Sequence, residues 1–223
     1  MREFALDIGA TELVLVRHAD AKPDDGDAQI DISYRNAPLS RRGREQAKAV
    51  AMRLASERIA AIYASPSVRT RETAEQIASA AGLTLATDER LREVHIGELE
   101  RPLDPAATSI AQAVRDRLDS LAEIALREGS WSSIPGTEPA AEVRLRMRAA
   151  IDEIALANPG RRVAVVSHAG AINAYIADLL GLTREFFFPT GNTSISIVRA
   201  RGSHRMLVGL NDTSHIRLAA QSL

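Results

Sequence analysis

The sequence has no cysteine, which excludes disulfide bonds, thiolate metal sites and a cysteine nucleophile. No apolar run approaches the roughly 20 residues that a membrane-spanning helix needs. The formal net charge of −1 at pH 7 favours neither nucleic acid nor an anionic membrane surface as a partner. Residues 1–12 carry Arg2, Glu3, Asp7 and Glu12 and lack the apolar core of a signal peptide. We therefore expect a soluble, cytoplasmic protein with no nucleic-acid or membrane partner.

Strand patterns alternate with helix patterns along the chain, which predicts a three-layer α/β/α sandwich with a mostly parallel central sheet. Strands are predicted at Leu13–Val16, Ile59–Ala64, Leu83–Thr87, Val163–Ser167, Ser194–Arg199 and Met206–Leu210. Helices are predicted after the N-cap Ser40, through Ala74–Ala81 up to Gly82, through Ile110–Ile124, through Val143–Ile154 and through Ile172–Leu179 up to Gly181.

No repeat, low-complexity segment or linker interrupts this pattern. Residues 1–223 are therefore predicted to form a single domain, in which Pro102–Thr137 is a candidate cap insertion. The segment Ala21–Ala37 is polar and acidic and is predicted to be a loop. Phe186–Phe188 is expected to lie in the core, with a subunit interface as the alternative. The oligomeric state stays open between monomer and homodimer.

Two apolar strands each run directly into a histidine, at Arg17-His18 and at Ser167-His168. Open α/β sheets bind ligands in a crevice at the carboxyl ends of their strands, where both imidazoles would meet. The planar donors of Arg17 match phosphate oxygens, and the charge of Arg17 keeps the neighbouring imidazole neutral and nucleophilic. This combination predicts nucleophilic attack on a phosphate monoester. The alternatives are a purely structural histidine and a surface ion pair between Arg17 and the acidic loop.

Six segments, in order, resemble motifs of the histidine phosphatase superfamily, the phosphoglycerate mutase-like enzymes. The likeness lies in Arg17-His18-Ala19-Asp20, Pro38–Ala47, Ser65–Ala74, Leu91–Gly97, Ser167–Gly170 and Gly191–Ser194. The resemblance implies that His18 becomes phosphohistidine and that Arg17, Arg69 and His168 hold the phosphate oxygens. It also implies that Glu93 donates and accepts the proton, and that no cofactor is needed. Ala169 and Asn192 belong to motifs that would contact the substrate.

The sequence departs from the family pattern at several positions. Ala19 replaces the usual glycine, and Asp24 stands where a phosphate-contacting Asn is common, so that its carboxylate would repel the phosphate. The acidic loop is predicted either to disfavour bisphosphates or only to aid solubility. No basic segment able to grip a second acidic group is recognisable between Gly97 and Trp131, which favours hydrolysis over mutase activity.

Simpler interpretations exist for the other candidates. Arg69 could pair with Glu72 on a helix surface, and Glu93 could be a solvated charge. A metal site formed by His18, His168 and Asp20 is disfavoured, because arginines surround it and the ligand spacing matches no metal motif. His95, His204 and His215 are predicted to be non-catalytic. Three functions remain: a phosphomonoesterase acting on a small phosphorylated metabolite, a phosphoglycerate mutase-type enzyme, and a phosphate-binding module without turnover.

Overall fold

The computed structural model describes residues 9–27, 29–104, 107 and 109–216. The charges at Arg2, Glu3 and Asp7, which argued against a signal peptide, lie outside the described residues, as do residues 105, 106 and 108 of the candidate cap insertion. Within the described ranges, no helix combines the length and apolar character that crossing a membrane requires.

In the part of the chain that the structure describes, six strands form one sheet in the order β3-β2-β4-β1-β5-β6. They are β1 (Thr11–Arg17), β2 (Ile59–Ala64), β3 (Leu85–Thr87), β4 (Arg162–Ser167), β5 (Ile195–Arg201) and β6 (His204–Asp212). The first four strands are mutually parallel, whereas β5 pairs antiparallel with β1 and with β6. In the central pair, Arg17 of β1 lies opposite Ser167 of β4. The residues that follow them, His18 and His168, therefore leave the sheet side by side.

The described residues form five α-helices: α1 (Arg41–Leu54), α2 (Val68–Ala81), α3 (Ile110–Glu128), α4 (Ala140–Ala157) and α5 (Ala169–Leu179). Helices α1 and α2 bury their apolar sides against one face of the sheet, together with Val14 and Val166. Helices α4 and α5 pack on the other face, around Leu15 and Val165. The sandwich predicted from the alternating pattern is confirmed. Burial of both faces explains why β1 and β4 are continuous apolar runs.

Most element boundaries match the prediction, including the Ser40 cap, whose hydroxyl accepts a hydrogen bond from the backbone N–H of Gly43 at 3.0 Å. Strand β3 is shorter than predicted and begins at Leu85. The helical spacing of Ile110, Val114, Leu118, Leu121 and Ile124 predicts the inner face of α3. This prediction is wrong at Ile110, which is 51% exposed, and Ala111 and Ala125 are buried instead. Alanine is only a weak sequence signal for the buried face of a helix. A large apolar residue such as Ile110 in the first turn is a stronger signal, so it misplaces the predicted face.

The segment that carries His18 is fixed by side chains from α1 and α2. Gln46 accepts a hydrogen bond from the Asp20 backbone N–H at 2.9 Å, and Thr73 accepts one from Ala19 at 3.1 Å. Gly43 allows α1 to approach, because a Cβ there would lie 1.8 Å from the Asp20 carbonyl oxygen. Three of the motifs quoted above therefore meet at the segment that follows β1, where Gln46 and Thr73 hold its backbone in position.

Candidate active site

The imidazoles of His18 and His168 face each other at the carboxyl end of the sheet. Their ring centroids are 5.1 Å apart at an interplanar angle of 65°, and both residues are almost completely buried. They come from β1 and β4, 150 positions apart in the chain, and adjacent strands bring them together. The expectation that two distant histidines share one site agrees with this placement.

Hydrogen bonds assign a neutral tautomer to each ring. The His18 Nδ1–H donates to the Ala19 carbonyl oxygen at 2.7 Å, which leaves Nε2 unprotonated and able to act as an acceptor or a nucleophile. His168 Nδ1 accepts from Arg69 Nη2 at 3.2 Å, so its Nε2–H donates to the Ser65 hydroxyl at 2.9 Å. Burial, reinforced by the charges of Arg69 and Arg17, holds the pKa of His18 well below its ordinary value. Burial and Arg69 act in the same direction on the pKa of His168.

Arg69 is a buried cation between the two rings. It is 4% exposed, and its Nε donates to His18 Nε2 at 3.3 Å. Its other partners are neutral, namely His168 and the carbonyl oxygens of Tyr34 and Arg35, at 2.8 and 2.9 Å. Within the described ranges Arg69 forms no ion pair; Glu72, the alternative partner, instead accepts from the Leu39 N–H. A buried charge without a counter-ion costs roughly 3–5 kcal/mol, which an anion bound at this position would offset.

Arg17 reaches the same cavity from the end of β1. Its Nη1 donates to the Thr190 carbonyl oxygen at 2.5 Å. Its Nε is buried and has no hydrogen-bond partner among the residues that the structure describes. Buried donors normally have a hydrogen-bond partner. After the Arg69 guanidinium, the Arg17 Nε–H is therefore the second group in this site that an acceptor atom of a ligand would satisfy.

Glu93 is bound at the N-terminus of α5. Its Oε1 accepts from the backbone N–H groups of Val94 and Ala171 at 2.9 and 3.0 Å, and its Oε2 accepts from Gly170 at 3.3 Å. The positive end of the helix therefore stabilises this carboxylate through the N–H groups of Gly170 and Ala171. Glu93 lines the same cavity as His18, so it is not the detached, solvated charge that the alternative interpretation describes.

A cavity of about 990 Å³ opens over these side chains. Ala169 and Asn192, both expected to contact the substrate, line it, and Asn192 also donates to the His18 carbonyl oxygen at 3.3 Å. Asp24 is placed differently: it does not line the cavity, and its carboxylate accepts from the Arg41 N–H at the start of α1, at 2.8 Å. The structure thus brings together every candidate site residue except Asp24. Among described residues, no group of three or more His, Asp or Glu side chains is placed to hold a metal ion.

Comparison with known proteins agrees with this geometry. The family model described as histidine phosphatase superfamily (branch 1) matches residues 13–213. The chain belongs to the histidine phosphatase superfamily.

Relatives of this histidine phosphatase superfamily member carry both mutase and phosphatase names. A Yersinia enterocolitica protein named probable phosphoglycerate mutase GpmB is 33% identical over 217 residues, covering 94% of this chain and 96% of that protein. The solved structure of Bacillus stearothermophilus YhfR has a TM-score of 0.72 at 25% identity, covering 92% of this chain and 99% of that one. A mycobacterial glucosyl-3-phosphoglycerate phosphatase has a TM-score of 0.71 at 26% identity, with coverages of 91% and 99%. The chain is thus an enzyme of this superfamily, a phosphatase or a mutase.

Sequence reasoning missed two residues that organise the site of this superfamily member. Arg146 of α4 donates to the carbonyl oxygens of Arg90, Arg92 and Glu93 and to the carboxylate of Glu138, and so fixes the segment that carries Glu93. The Ser65 hydroxyl accepts the hydrogen bond of His168 Nε2–H, in the tautomer that Arg69 sets. The Arg146 contacts span more than 50 positions, and nothing in the local pattern around Arg146 distinguishes it from its exposed neighbours.

Gly170→Ala is expected to lower kcat for an alkyl phosphate about 10- to 100-fold through displacement of Glu93. A Cβ at Gly170 would lie 2.8 Å from Glu93 Oε1 and 2.8 Å from Val94 Cγ2, so the carboxylate must move. Steady-state kinetics in the native and the Glu93→Gln backgrounds measure the effect. Because the substitution acts through Glu93, it should add nothing in the second background. An equal loss in both backgrounds would show that Gly170 acts independently of Glu93.

Proposed function

We propose that this enzyme hydrolyses phosphate monoesters of small metabolites through a phosphohistidine on His18. The observation that carries the proposal is the buried Arg69 guanidinium, whose partners are all neutral and which lies between two neutral imidazoles. Phosphoryl transfer requires mainly positioning and charge neutralisation, and these groups supply both. In this assignment Arg17, Arg69, His168, Asn192 and the Ala169 backbone hold the phosphate oxygens.

In the first step the Nε2 lone pair of His18 forms a bond to phosphorus while the bond from phosphorus to the ester oxygen breaks. The leaving oxygen takes the proton of Glu93, so that the products are phosphohistidine, a free alcohol and the Glu93 carboxylate. Oε2 of Glu93 makes a single long contact, at 3.3 Å, and is therefore the oxygen best able to carry this proton. Arg69 must shift from His18 Nε2 to a phosphate oxygen when the substrate enters.

In the second step a water molecule attacks phosphorus on the side opposite His18 Nε2. Glu93 takes the proton from this water, the bond from nitrogen to phosphorus breaks, and inorganic phosphate leaves. The neutral imidazole and the protonated carboxyl are both restored. Splitting the displacement in two allows one histidine and one carboxyl to complete the cycle without a further residue.

The alternative is a phosphoglycerate mutase-type reaction, which the name of the Yersinia relative favours. A mutase must hold a second acidic group, and each cation here that could do so already has a carboxylate partner. Of the cavity-lining cations away from His18, Arg92 pairs with Glu138 at 2.8 Å, Lys22 pairs with Asp119, and Arg35 pairs with Glu100. This pairing supports hydrolysis.

The segment 102–137 is proposed to act as a cap within a single domain. Eight of its described residues line the cavity, among them Leu118, Leu121, Ala125 and Trp131. The acidic loop is proposed to anchor this cap rather than to repel substrate: Arg115 of α3 donates to the Pro23 carbonyl oxygen and to Asp25, each at 2.7 Å. None of Asp24, Asp25, Asp27 and Asp31 lines the cavity, so the expected repulsion of bisphosphates by these carboxylates does not enter the proposal.

The experiment that tests the proposal uses two substrates with two readouts. The native chain is incubated with 4-nitrophenyl phosphate, and separately with 3-phosphoglycerate plus a bisphosphorylated glycerate primer. We expect release of phosphate from the aryl ester and no movement of phosphate between the two glycerate positions. Isomerisation of phosphoglycerate without free phosphate would make the protein a mutase. No reaction with either substrate would leave a phosphate-binding module.

A further inference from the structure

The cavity above His18 has two chemically different parts. Beside the phosphate-binding side chains lies an apolar wall, which we define as Leu99, Leu118, Leu121, Ala125, Trp131 and Phe186. Trp131 and Phe186 meet edge to face with ring centroids 6.1 Å apart, and Trp131 is 2% exposed. The cavity is close to the upper end of the volumes typical of small-molecule sites, far more than a phosphate group fills.

The charged side chains around this wall leave no cation for a second anion. Away from Arg17, Arg69 and Glu93, the cavity is lined by three cations and five carboxylates. The cations are Lys22, Arg35 and Arg92, and their carboxylate partners are Asp119, Glu100 and Glu138, the last of which is shared with Arg146 outside the cavity. Glu89 and Glu142 are the other two. A carboxylate or second phosphate on the substrate would therefore enter a net negative field, and would have to break an existing ion pair to find a partner.

Resting on the hydrolase function proposed above, we propose that the substrate is a monophosphate ester whose alcohol part is uncharged and apolar. The phosphate lies against Arg17 and Arg69, and the apolar group packs against Leu99, Leu118 and Phe186, the half-buried members of the apolar wall, with Trp131 behind them. This assignment uses both the unpaired cations at one end of the cavity and the unfilled apolar surface at the other. It excludes phosphorylated sugar acids as the preferred substrates.

A series of n-alkyl phosphates, from ethyl to hexyl, tests the proposal without changing the acidity of the leaving alcohol. Each methylene that leaves water is expected to raise kcat/KM about fourfold, and ethyl to hexyl at least about tenfold in total. 3-Phosphoglycerate should be poorer than hexyl phosphate. A flat or falling alkyl series, or a preference for phosphoglycerate, would overturn the proposal. The 4-nitrophenyl phosphate assay separates the two failures: without activity there, the hydrolase function itself fails.

A charge placed on the apolar wall provides the matched variant. Leu118→Asp and Leu126→Asp make the same substitution on α3, but Leu118 lines the cavity and Leu126 is 45% exposed outside it. Leu118→Asp should lower kcat/KM for hexyl phosphate about tenfold or more and leave ethyl phosphate within a factor of about three. Leu126→Asp should change neither. Equal losses on both esters in Leu118→Asp would contradict the assignment.

Binding can be followed without turnover, because Trp131 is the single tryptophan of the chain. Titration with hexylphosphonate, which cannot be hydrolysed, should change its fluorescence and should bind at least about tenfold more tightly than methylphosphonate. Leu118→Asp should remove this difference. Equal affinity for the two phosphonates would show that the apolar group does not reach the wall, whatever the outcome of the kinetics.

Discussion

Glu93→Gln is expected to slow hydrolysis of an alkyl phosphate by about 10²–10⁴-fold, the usual contribution of a positioned general acid. An amide cannot protonate the leaving alkoxide, whereas it can still accept hydrogen bonds from the backbone N–H groups of Val94 and Ala171. The two contacts to Oε1 are therefore retained, and only the long Gly170 contact at 3.3 Å is lost together with the proton. Stopped-flow and steady-state kinetics on hexyl phosphate measure the loss.

The same variant should behave differently with 4-nitrophenyl phosphate. Nitrophenolate leaves without a proton, so the first step stays fast, while attack of water on phosphohistidine still lacks its base. We expect a burst of about one equivalent of nitrophenol followed by slow turnover. Glu98→Gln, which changes a carboxylate that pairs with Arg101 outside the cavity, is the control and should keep native rates. An equal loss on both esters without a burst would remove Glu93 from the proton transfer.

Most of what the sequence predicts about this site comes from the residues at the ends of two strands. The apolar runs before His18 and His168 predict two buried, neighbouring strands, and parallel pairing of β1 with β4 then brings the histidines together. The motifs that contain Gln46 and Thr73 were recognisable as patterns. Only the fold shows that these two side chains hold the backbone of Ala19 and Asp20.

Other features could not be predicted because their partners are remote in the chain. Arg146 has the local surroundings of an ordinary surface arginine, and only tertiary contacts direct it to the Glu93 segment. In the acidic loop, four neighbouring carboxylates suggested an electrostatic effect on the substrate. Asp24 instead accepts a hydrogen bond from the first N–H of α1, and Asp25 pairs with Arg115. Local charge density does not show where each carboxylate points.

The apolar wall could not be predicted from the sequence either. A helix that lines a cavity has the same apolar periodicity as a helix that packs in a core, because both turn an apolar face away from water. Phe186 is expected in the core; it packs against the core and also lines the cavity, which its sequence context does not indicate. Which apolar residues meet a partner and which meet empty space depends on the separation of the elements, and no local pattern specifies that separation.

Replacement of His18 is expected to have the largest effect of any single substitution. Removing the group that takes the phosphoryl moiety should lower kcat by about 10⁴–10⁶-fold, as for other covalent nucleophiles. His18→Asn preserves most of the buried volume and guards against unfolding as the cause of the loss. His204→Ala changes an exposed histidine at the β5–β6 turn and should have no effect.

The most direct measurement is the site of phosphorylation in the reacting enzyme. Native protein mixed with 4-nitrophenyl phosphate and quenched in alkali, where phosphohistidine is stable, should carry one phosphoryl group on Nε2 of His18 by peptide mass spectrometry and 31P NMR. Glu93→Gln should accumulate this species, and His18→Asn should carry none. A phosphoryl group on another residue, or full turnover by His18→Asn, would contradict the mechanism.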